Sequence, residues 1–391
     1  MKVLIIGIGA VGAILSKLLS DDENVESILC GDIDLERAKK FLNFKSKKIK
    51  LIYLDAKSVD DIVLVSKGFD LIINTSLPKL NLNIMNAALL VGANYQDLCS
   101  EIDDSYCPEQ LKLNKKFEKK GLVGLINTGM APGVTNILAK ELSFMFDEID
   151  LIKIRTLQDQ ISINPIFALS PEIILEEAMQ PAVKFENGKF LVVKQFSEFE
   201  DFEFYDGYFR FVYSVHGDEI ATLSKYIKAK KINFMAGGTD VESSKSIFDL
   251  GLLTTEPMVI NGVKIIPLDI ISQVPIDIPT PFDMNEMIKN GTFKDSEMIV
   301  TVELFGRKFG KNFKAKSLVQ FHSAKEINNL FEGANYISFS TGLSAYCFSK
   351  IIFKTKKRGV FPPEALSNES INMIISDLIA SGLKIKKFFS N

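Results

Sequence analysis

The feature that most constrains this chain is a glycine-rich segment at its amino terminus. The segment MKVLIIGIGAVG places Gly7, Gly9 and Gly12 after an apolar run and before a helix-like stretch at 13–20. The first glycine permits a sharp turn, the second lets a pyrophosphate approach the backbone, and the third lets helix and strand pack closely. Free N–H groups at a helix start also attract phosphate charge. The spacing therefore predicts a strand–turn–helix unit that binds a dinucleotide through Gly7, Gly9, Ala10, Val11 and Gly12.

An acidic residue about twenty positions further along supports this interpretation. A second apolar strand, residues 27–30, leads to Asp32 and Ile33. A carboxylate there accepts hydrogen bonds from the ribose hydroxyls and repels a 2′-phosphate. The sequence therefore favours NAD, while Arg37, the nearest arginine, keeps NADP open. The alternatives are a glycine turn in another α/β fold and a secretory signal peptide, although no small-residue cleavage site follows the apolar run.

The order of the predicted elements indicates the fold class. Strand-like and helix-like segments alternate up to residue 130, which predicts an α/β, doubly wound parallel sheet of the Rossmann type. From about residue 148, strand-like runs separated by Asn-Gly turns predict a second, α+β domain with a mixed or antiparallel sheet. The predicted domains are residues 1–130, completed by C-terminal helices in 335–391, and residues 131–334, with a substrate-binding and dimerisation role.

Two details of the second domain are also predicted. The segment VKIIPLDI, residues 263–270, is interpreted as one of its strands, and the proline-rich stretch 275–281 as a turn or linker.

Ligands of parallel α/β sheets bind beyond the carboxyl ends of the strands. The polar or small residues predicted there, on the cofactor side, are Asp55, Ala56, Asn74, Thr75 and Ser76. For each polar residue, turn formation or helix capping is the alternative explanation.

The next two strand ends are predicted to face substrate. Asp97 ends the fifth strand, and Met130, Pro132 and Gly133 follow the sixth, where a helix start could hold a substrate carboxylate. Proline and glycine are also ordinary residues at a helix start, which is the alternative reading of that segment.

Composition excludes several other classes of function. The 391 residues include 46 basic and 49 acidic ones, well mixed, so no basic stripe suggests a nucleic-acid partner. No run of eighteen apolar residues predicts a membrane span. The four cysteines and two histidines lack zinc-site spacing, so we predict no metal. Free thiols fit a reducing compartment, and we expect a cytoplasmic protein.

With these segments in place, the chain resembles the saccharopine dehydrogenase family, which includes the lysine 6-dehydrogenases. The most specific segments are NTGMAPGVTNILA, near residue 131, and RGVFPPEAL, near residue 361. The resemblance implies a Rossmann domain, a second domain with substrate and dimer contacts, a homodimer, a small amino-acid substrate and a place in lysine metabolism.

The implied chemistry moves a hydride between a nicotinamide and a carbon that bears nitrogen, so a proton must be managed at that nitrogen. His216, beside Asp218, is the first candidate because an unperturbed imidazole has a pKa near 6.5, and Asp97 is the second. Arg155 and Gln158 are predicted to bind a substrate carboxylate. A structural histidine and a surface ion pair are the alternatives for His216 and Arg155.

Four functions stay open at this stage. A saccharopine-type reductase is slightly favoured, since VHGDEIATL is more similar to the saccharopine and carboxynorspermidine side of the family. Lysine 6-dehydrogenase, a carboxynorspermidine dehydrogenase-like enzyme, and a nucleotide-binding protein without catalysis are the others.

Overall fold

The structure is a computed structural model, and it describes residues 1–164, 166–273 and 278–390. Its first part alternates strands and helices as the sequence predicts. In chain order the elements are β1 (Lys2–Ile6), α1 (Ala10–Asp21), β2 (Ser27–Asp32), α2 (Leu35–Phe41), β3 (Ile49–Tyr53), α3 (Val59–Ser66), β4 (Leu71–Asn74), α4 (Asn81–Val91), β5 (Asn94–Asp97), α5 (Asn114–Lys119) and β6 (Val123–Leu125).

These strands form a parallel sheet in the order β3-β2-β1-β4-β5-β6. The apolar residues of β1, β4, β5 and β6 are buried on both faces, as expected where crossover helices cover a parallel sheet, whereas those of the edge strand β3 are half-buried or exposed. The strand order reverses between β1 and β4, and this reversal creates the crevice in which dinucleotides bind. The predicted Rossmann domain is confirmed.

The second part is richer in long strands. Its elements are α6 (Val134–Ser143), β7 (Glu148–Ser162), α7 (Pro171–Met179), β8 (Ala182–Glu186), β9 (Lys189–Val193), β10 (Phe199–Tyr205), β11 (Tyr208–Ser214), α8 (Glu219–Tyr226), β12 (Ala229–Gly237), α9 (Thr239–Asp249), β13 (Met258–Ile260), β14 (Val263–Ile265), α10 (Pro267–Gln273), α11 (Pro281–Lys289), β15 (Phe293–Lys308), β16 (Lys311–Gln320) and α12 (Ala324–Leu330).

Most of these strands join one mixed sheet, as predicted. Strand β7 lies at its centre, parallel to β12 and antiparallel to β15. The predicted strand 263–270 is wrong beyond residue 265, because Pro267 begins a helix there. Of the predicted linker 275–281, residues 275–277 lie outside the described residues, and Pro281 begins α11.

The C-terminal segment is shared between the two sheets. Its elements are α13 (Tyr336–Ile352), β17 (Gly359–Phe361), α14 (Asn368–Ala380) and β18 (Lys384–Ser390). Helix α13 packs on α1, and β17 adds a seventh parallel strand beside β6. Strand β18 instead pairs antiparallel with β16 of the second sheet. The C-terminal segment therefore contributes α13 and β17 to the first domain, whereas β18, which the predicted C-terminal helices did not include, belongs to the second sheet.

One apolar core runs through both domains. Its buried members include Ile5 of β1, Ile137 of α6, Val300 of β15 and Phe348 of α13. Because α6 and α13 contribute to this core, the carboxyl edge of the first sheet is held against the second domain. Across the described ranges, none of the helices combines the length and apolar character needed to span a bilayer.

Candidate active site

The glycine-rich turn has the geometry of a phosphate cradle. Gly7 has a φ of 96° and donates its N–H to the carbonyl of Gly31 at 2.9 Å. A Cβ on Gly12 would collide with the Gly7 carbonyl and would lie 2.8 Å from the Thr75 hydroxyl. At Gly9, by contrast, a Cβ would meet, among the described residues, only the Arg37 guanidinium, at 3.7 Å. The turn is thus tight where helix and strand pack and open where a pyrophosphate would approach.

Asp32 lies at the end of β2, beside this turn. One carboxylate oxygen accepts the N–H of Ile8 at 2.5 Å, and the other accepts the N–H of Asp34 at 2.8 Å. The neighbouring Ile33 is 60% exposed and can cover an adenine ring. The Arg37 guanidinium lies beside Gly9 of the glycine-rich turn. A ribose acceptor therefore lies at the end of β2, and a cation that could meet phosphate charge lies beside the glycine-rich turn.

The other predicted cofactor residues divide into two groups. Thr75 and Ser76 line the cavity described below, as does Val11. Asn74 is buried and donates to Asn81 at 2.7 Å, while Asp55 accepts the N–H of Lys57. Ala56 is also buried. Asn74 and Asp55 therefore shape their turns, and neither they nor Ala56 lines the cavity.

A cleft of about 270 Å³ continues from the turn into the space between the domains. Its Rossmann wall is formed by residues after β4, β5 and β6, including the predicted Met130 and Pro132. The opposite wall comes from β7, α7, β12, α9 and the segment between β11 and α8, and it contains the predicted Gln158 and His216. The cleft thus joins the cofactor groove to the second domain, as the position of a substrate requires.

His216 is held at the cleft by two neighbours. Its Nε2 lies 3.2 Å from Asp218 Oδ1, and its backbone N–H donates to Gln195 Oε1 at 3.1 Å. Asp218 Oδ2 accepts the N–H of Ser100, which follows β5 on the other wall. Burial alone would lower the His216 pKa, but the hydrogen bond and charge of Asp218 and the charge of Glu177 outweigh it, so the pKa is raised. The imidazolium is stabilised where a proton could be passed to substrate.

A buried network lies next to His216. Glu219 Oε1 accepts the Thr135 hydroxyl at 3.0 Å, and Asn136 Nδ2 donates to Glu364 Oε1 at 3.1 Å. Burial raises the pKa of Glu219 to about 8 and that of Glu364 to about 7. Asn136 Oδ1 accepts the Gly133 N–H at 3.0 Å. The predicted carboxylate contact at Gly133 is corrected, because this N–H already has a partner.

Two further predicted residues lie away from the cleft. Asp97 is 1% exposed, and its oxygens accept from the Asn127 N–H at 2.8 Å and from Gln110 Nε2 at 3.1 Å. Burial raises the Asp97 pKa to about 7 against those hydrogen bonds. The lining of the cleft begins only at the next residue, Leu98. Asp97 therefore holds the β5 and β6 exits together, and its predicted catalytic role has no geometric support.

Arg155 does not point into the cleft either. Its Nε donates to Glu200 Oε1 at 2.8 Å, and one terminal nitrogen donates to Asn233 Oδ1 at 2.7 Å. Arg155 and Gln158 are three residues apart in β7, so they face opposite sides of the sheet. Gln158 faces the cleft and Arg155 the other side, where it is buried in an ion pair. The predicted pairing of these two side chains around one carboxylate is wrong.

The sequence analysis missed two acidic residues of the cleft. Glu177 lies on α7 and opens onto the cavity, and enclosure by protein raises its pKa to about 7. Asp240 lies in the first turn of α9 and accepts hydrogen bonds from Gln160 and Tyr336, and burial raises its pKa to about 6. The glycine pair before α9 was the available signal for Asp240. For Glu177, which follows another acidic residue on a helix, the sequence offered no signal.

The ionisable lining of the cleft is therefore acidic. Its acidic members are Glu177, Asp218, Glu219 and Asp240, and His216 is the one histidine; the lining contains no lysine or arginine among the described residues. The Glu177 carboxylate has no hydrogen-bond or ion-pair partner within the described ranges. Such a cleft favours a ligand that carries positive charge. In the described part of the chain, no group of three or more acidic, histidine or cysteine side chains could hold a metal.

The turn, the cleft and the two-domain fold match known proteins over nearly the whole chain. Residues 3–125 match the family model of the saccharopine dehydrogenase NADP binding domain, and residues 129–383 match that of the saccharopine dehydrogenase C-terminal domain. The apo saccharopine dehydrogenase (L-Glu forming) of Saccharomyces cerevisiae has the same fold, with a TM-score of 0.71 at 15% identity over 100% of both chains. The structure of homospermidine synthase of Legionella pneumophila in complex with NAD gives a TM-score of 0.72 at 14% identity, over 100% of this chain and 91% of that one.

Curated relatives are more similar in sequence. Carboxynorspermidine synthase of Vibrio alginolyticus is 28% identical over 94% of this chain and 92% of the relative. Carboxyaminopropylagmatine dehydrogenase of Synechocystis is 26% identical over 93% of this chain and 92% of the relative. The family predicted from sequence is confirmed, and so is a nicotinamide dinucleotide cofactor. The chain belongs to the saccharopine dehydrogenase family of NAD(P)-dependent oxidoreductases.

Proposed function

We propose that this enzyme joins a cationic amine to the aldehyde of an amino-acid semialdehyde by reducing their imine, which makes a carboxylated polyamine. Both curated relatives carry names that combine a carboxylated arm with an amine, norspermidine in one and agmatine in the other. This was an alternative in the sequence analysis, where a saccharopine-type reductase was slightly favoured. The charge of the cleft favours the polyamine-type reaction.

One observation carries the proposal: four carboxyl groups and no lysine or arginine line the cleft among the described residues. Saccharopine is rich in carboxylates and would need cationic partners. Arg155, the predicted partner, is bonded to Glu200 on the other side of the sheet. A diamine or a guanidino-amine would instead pair with Glu177, whose carboxyl group opens onto the cavity, and would favour its ionised form.

The residues of the chain can be assigned tasks in this reaction. Gly7, Gly9, Gly12 and Asp32 would hold the cofactor, which when bound supplies or accepts the hydride. Glu177 binds the ammonium or guanidinium end of the amine. His216, oriented by Asp218 at 3.2 Å, holds a proton near the reacting nitrogen. Gln158 stays the predicted contact for the carboxylate of the aldehyde substrate.

The test is a substrate panel in which nicotinamide absorbance is followed. NADPH or NADH is supplied with aspartate 4-semialdehyde and, in turn, 1,3-diaminopropane, putrescine and agmatine. Parallel reactions contain lysine with 2-oxoglutarate, and NAD with lysine or saccharopine. We expect cofactor oxidation only with an amine and the semialdehyde together.

Other outcomes would contradict the proposal in distinct ways. Turnover of saccharopine but not of the diamines would indicate a saccharopine-type reductase, and turnover of lysine alone would indicate lysine 6-dehydrogenase. A flat trace with every pair, together with cofactor binding by titration, would indicate a binding protein without catalysis. The homodimer implied by the family resemblance stays a prediction, which sedimentation equilibrium tests.

A further inference from the structure

The loop after β5 makes a contact between the domains that the proposed reaction does not use. Lys225 Nζ, at the end of α8, lies 2.7 Å from Cys107 Sγ, although the two residues are 118 positions apart. Sulfur is larger than oxygen, so a hydrogen bond to it is longer than the roughly 2.7–3.2 Å of an N–H···O bond. The separation is thus short for a hydrogen bond and long for a direct nitrogen–sulfur bond. One bridging atom fits between the two.

The thiol is held in place by its own loop. Asp103 Oδ1 accepts the N–H groups of Ser105, at 3.0 Å, and of Cys107, at 3.2 Å. Tyr106 has a φ of 53°, and its ring centroid lies 4.9 Å from that of Phe190 in the second domain. The loop is therefore folded on itself and packed across the domain boundary. The loop thus presents the thiol at a fixed position, which reduces the entropy lost when a bond forms to it.

The pair is also accessible to a small oxidant. Lys225 is exposed and Cys107 half-buried, whereas Cys30 and Cys347 are buried. Burial raises the pKa of the Cys30 thiol to about 11 and that of Cys347 to about 12, which keeps both protonated and unreactive. Cys99 is half-buried like Cys107, but burial raises the pKa of its thiol well above the usual value. Of the four cysteines, Cys107 is thus the one placed for oxidation beside an amine.

We propose that Cys107 and Lys225 form an oxygen-bridged covalent cross-link, Cys–S–O–NH–Lys, when the protein meets dioxygen. The thiol and the neutral amine react with one O₂ and give the bridge and one water. The S–H bond and one N–H bond break, S–O and O–N bonds form, and both hydrogens leave in the water. Sulfur and nitrogen each lose two electrons, which together reduce the four-electron oxidant. Two equivalents of a dithiol return the four electrons and restore thiol, amine and a second water.

The cross-link would connect the two walls of the cleft without entering it. The loop that carries Cys107 also carries Ser100, whose N–H donates to Asp218 Oδ2 at 2.9 Å. Helix α8, which carries Lys225, begins at Glu219, directly after Asp218. The bridge would therefore hold the β5 exit and the His216 segment at a fixed separation. Because it closes a long loop, it should also raise the midpoint of thermal unfolding by several degrees.

The experiment needs neither substrate nor cofactor, so its result is independent of the proposed function. The purified full-length protein is exposed to air or kept anaerobic, digested, and analysed by peptide mass. We expect the Cys107 and Lys225 peptides joined after air exposure, with a mass equal to their sum plus one oxygen and minus two hydrogens. Dithiothreitol should release both peptides unmodified and abolish the rise in unfolding midpoint.

Three variants define the controls. Cys107→Ser and Lys225→Arg should yield no joined peptide and no air-dependent shift, and the arginine keeps the positive charge. Lys228→Arg, a matched change at another exposed lysine nearby, should behave as the wild type. Joined peptides that lack the extra oxygen, a Cys107 sulfinic acid beside a free Lys225, or an unchanged thiol after prolonged aeration would each overturn the proposal.

Discussion

Glu364 provides a quantitative test of how the buried acids of this fold behave. It lies in the 3₁₀ turn Pro363–Ala365 and is fully buried. Its Oε1 accepts from Asn136 Nδ2, while Oε2 has no hydrogen-bond partner in the described ranges. Burial raises its pKa from 4.5 to about 7, although hydrogen bonds from Thr222 and Asn136 act in the opposite direction. We expect the change Glu364→Gln to alter the pH dependence of stability in a defined way.

The sign follows from proton binding. Between pH 4.5 and 7 the folded protein keeps a proton on Glu364 that the unfolded chain has lost, so stability falls as pH rises through this window and then levels off. One pKa unit corresponds to about 1.4 kcal/mol, which gives a loss of roughly 2–3 kcal/mol between pH 5 and pH 8. Glutamine does not ionise and keeps the acceptor for Asn136. Its new amide group can cost about 1–3 kcal/mol if it lacks a partner, but this cost is the same at every pH.

The measurement is the free energy of unfolding in urea at pH 5, 6, 7 and 8, for the wild type and Glu364→Gln. The stability of the variant relative to the wild type should rise by roughly 2–3 kcal/mol from pH 5 to pH 8. Glu369→Gln, a matched change at an exposed position in the first turn of α14, should show a difference of about 0.5 kcal/mol or less across the range. A difference for Glu364→Gln that stays constant with pH would refute the reasoning.

Two further predictions concern binding. Asp32→Ala should weaken the binding of NAD by about tenfold or more, because it removes the ribose acceptor. The binding of NADP should weaken less, because the change also removes the charge that opposes a 2′-phosphate while Arg37 remains. Equal losses of affinity for the two cofactors in a fluorescence titration would contradict the assignment. Glu177→Gln should raise the KM for the amine by roughly tenfold to a hundredfold with a smaller change in kcat, because a charge-assisted hydrogen bond of about 1.5–3 kcal/mol is lost. Glu172→Gln, at the exposed start of the same helix, is its control, and an equal effect of both changes would argue against direct binding by Glu177.

The first domain could be predicted from the sequence because its signals are local. The glycine spacing, the apolar strands and the acidic residue after β2 each act through neighbouring residues. Strand β17 could not be predicted from the sequence, because it has only three residues and Pro362 and Pro363 follow it directly. Strand β18 was also missed because it is lysine-rich and mostly exposed, as is usual for an edge strand whose partner is far away in the chain.

The site was less predictable because its residues depend on direction as well as position. The rule that ligands lie beyond strand ends placed Asp97 at the correct edge, but not the direction of its side chain, which the Asn127 N–H and Gln110 determine. Arg155 and Gln158 lie on opposite faces of β7, because side chains alternate along a strand, and the sequence alone did not show that the strand extends through both residues. Glu177 belongs to a helix with three acidic residues, and their sequence does not show which of them turns toward the cleft.

The two most specific sequence segments meet in space, and this contact explains how the cleft is maintained. Asn136 of the first segment donates to Glu364 of the second, while its own oxygen holds the Gly133 N–H. The loop before Gly133 forms part of one wall of the cleft. Thr135, next to Asn136 in α6, donates a hydrogen bond to Glu219 on the other wall. Ionisation of Glu364 would leave a buried charge with few donors at this junction. The shape of the cleft therefore depends on buried acids at this junction, and their burial between the domains opposes their ionisation.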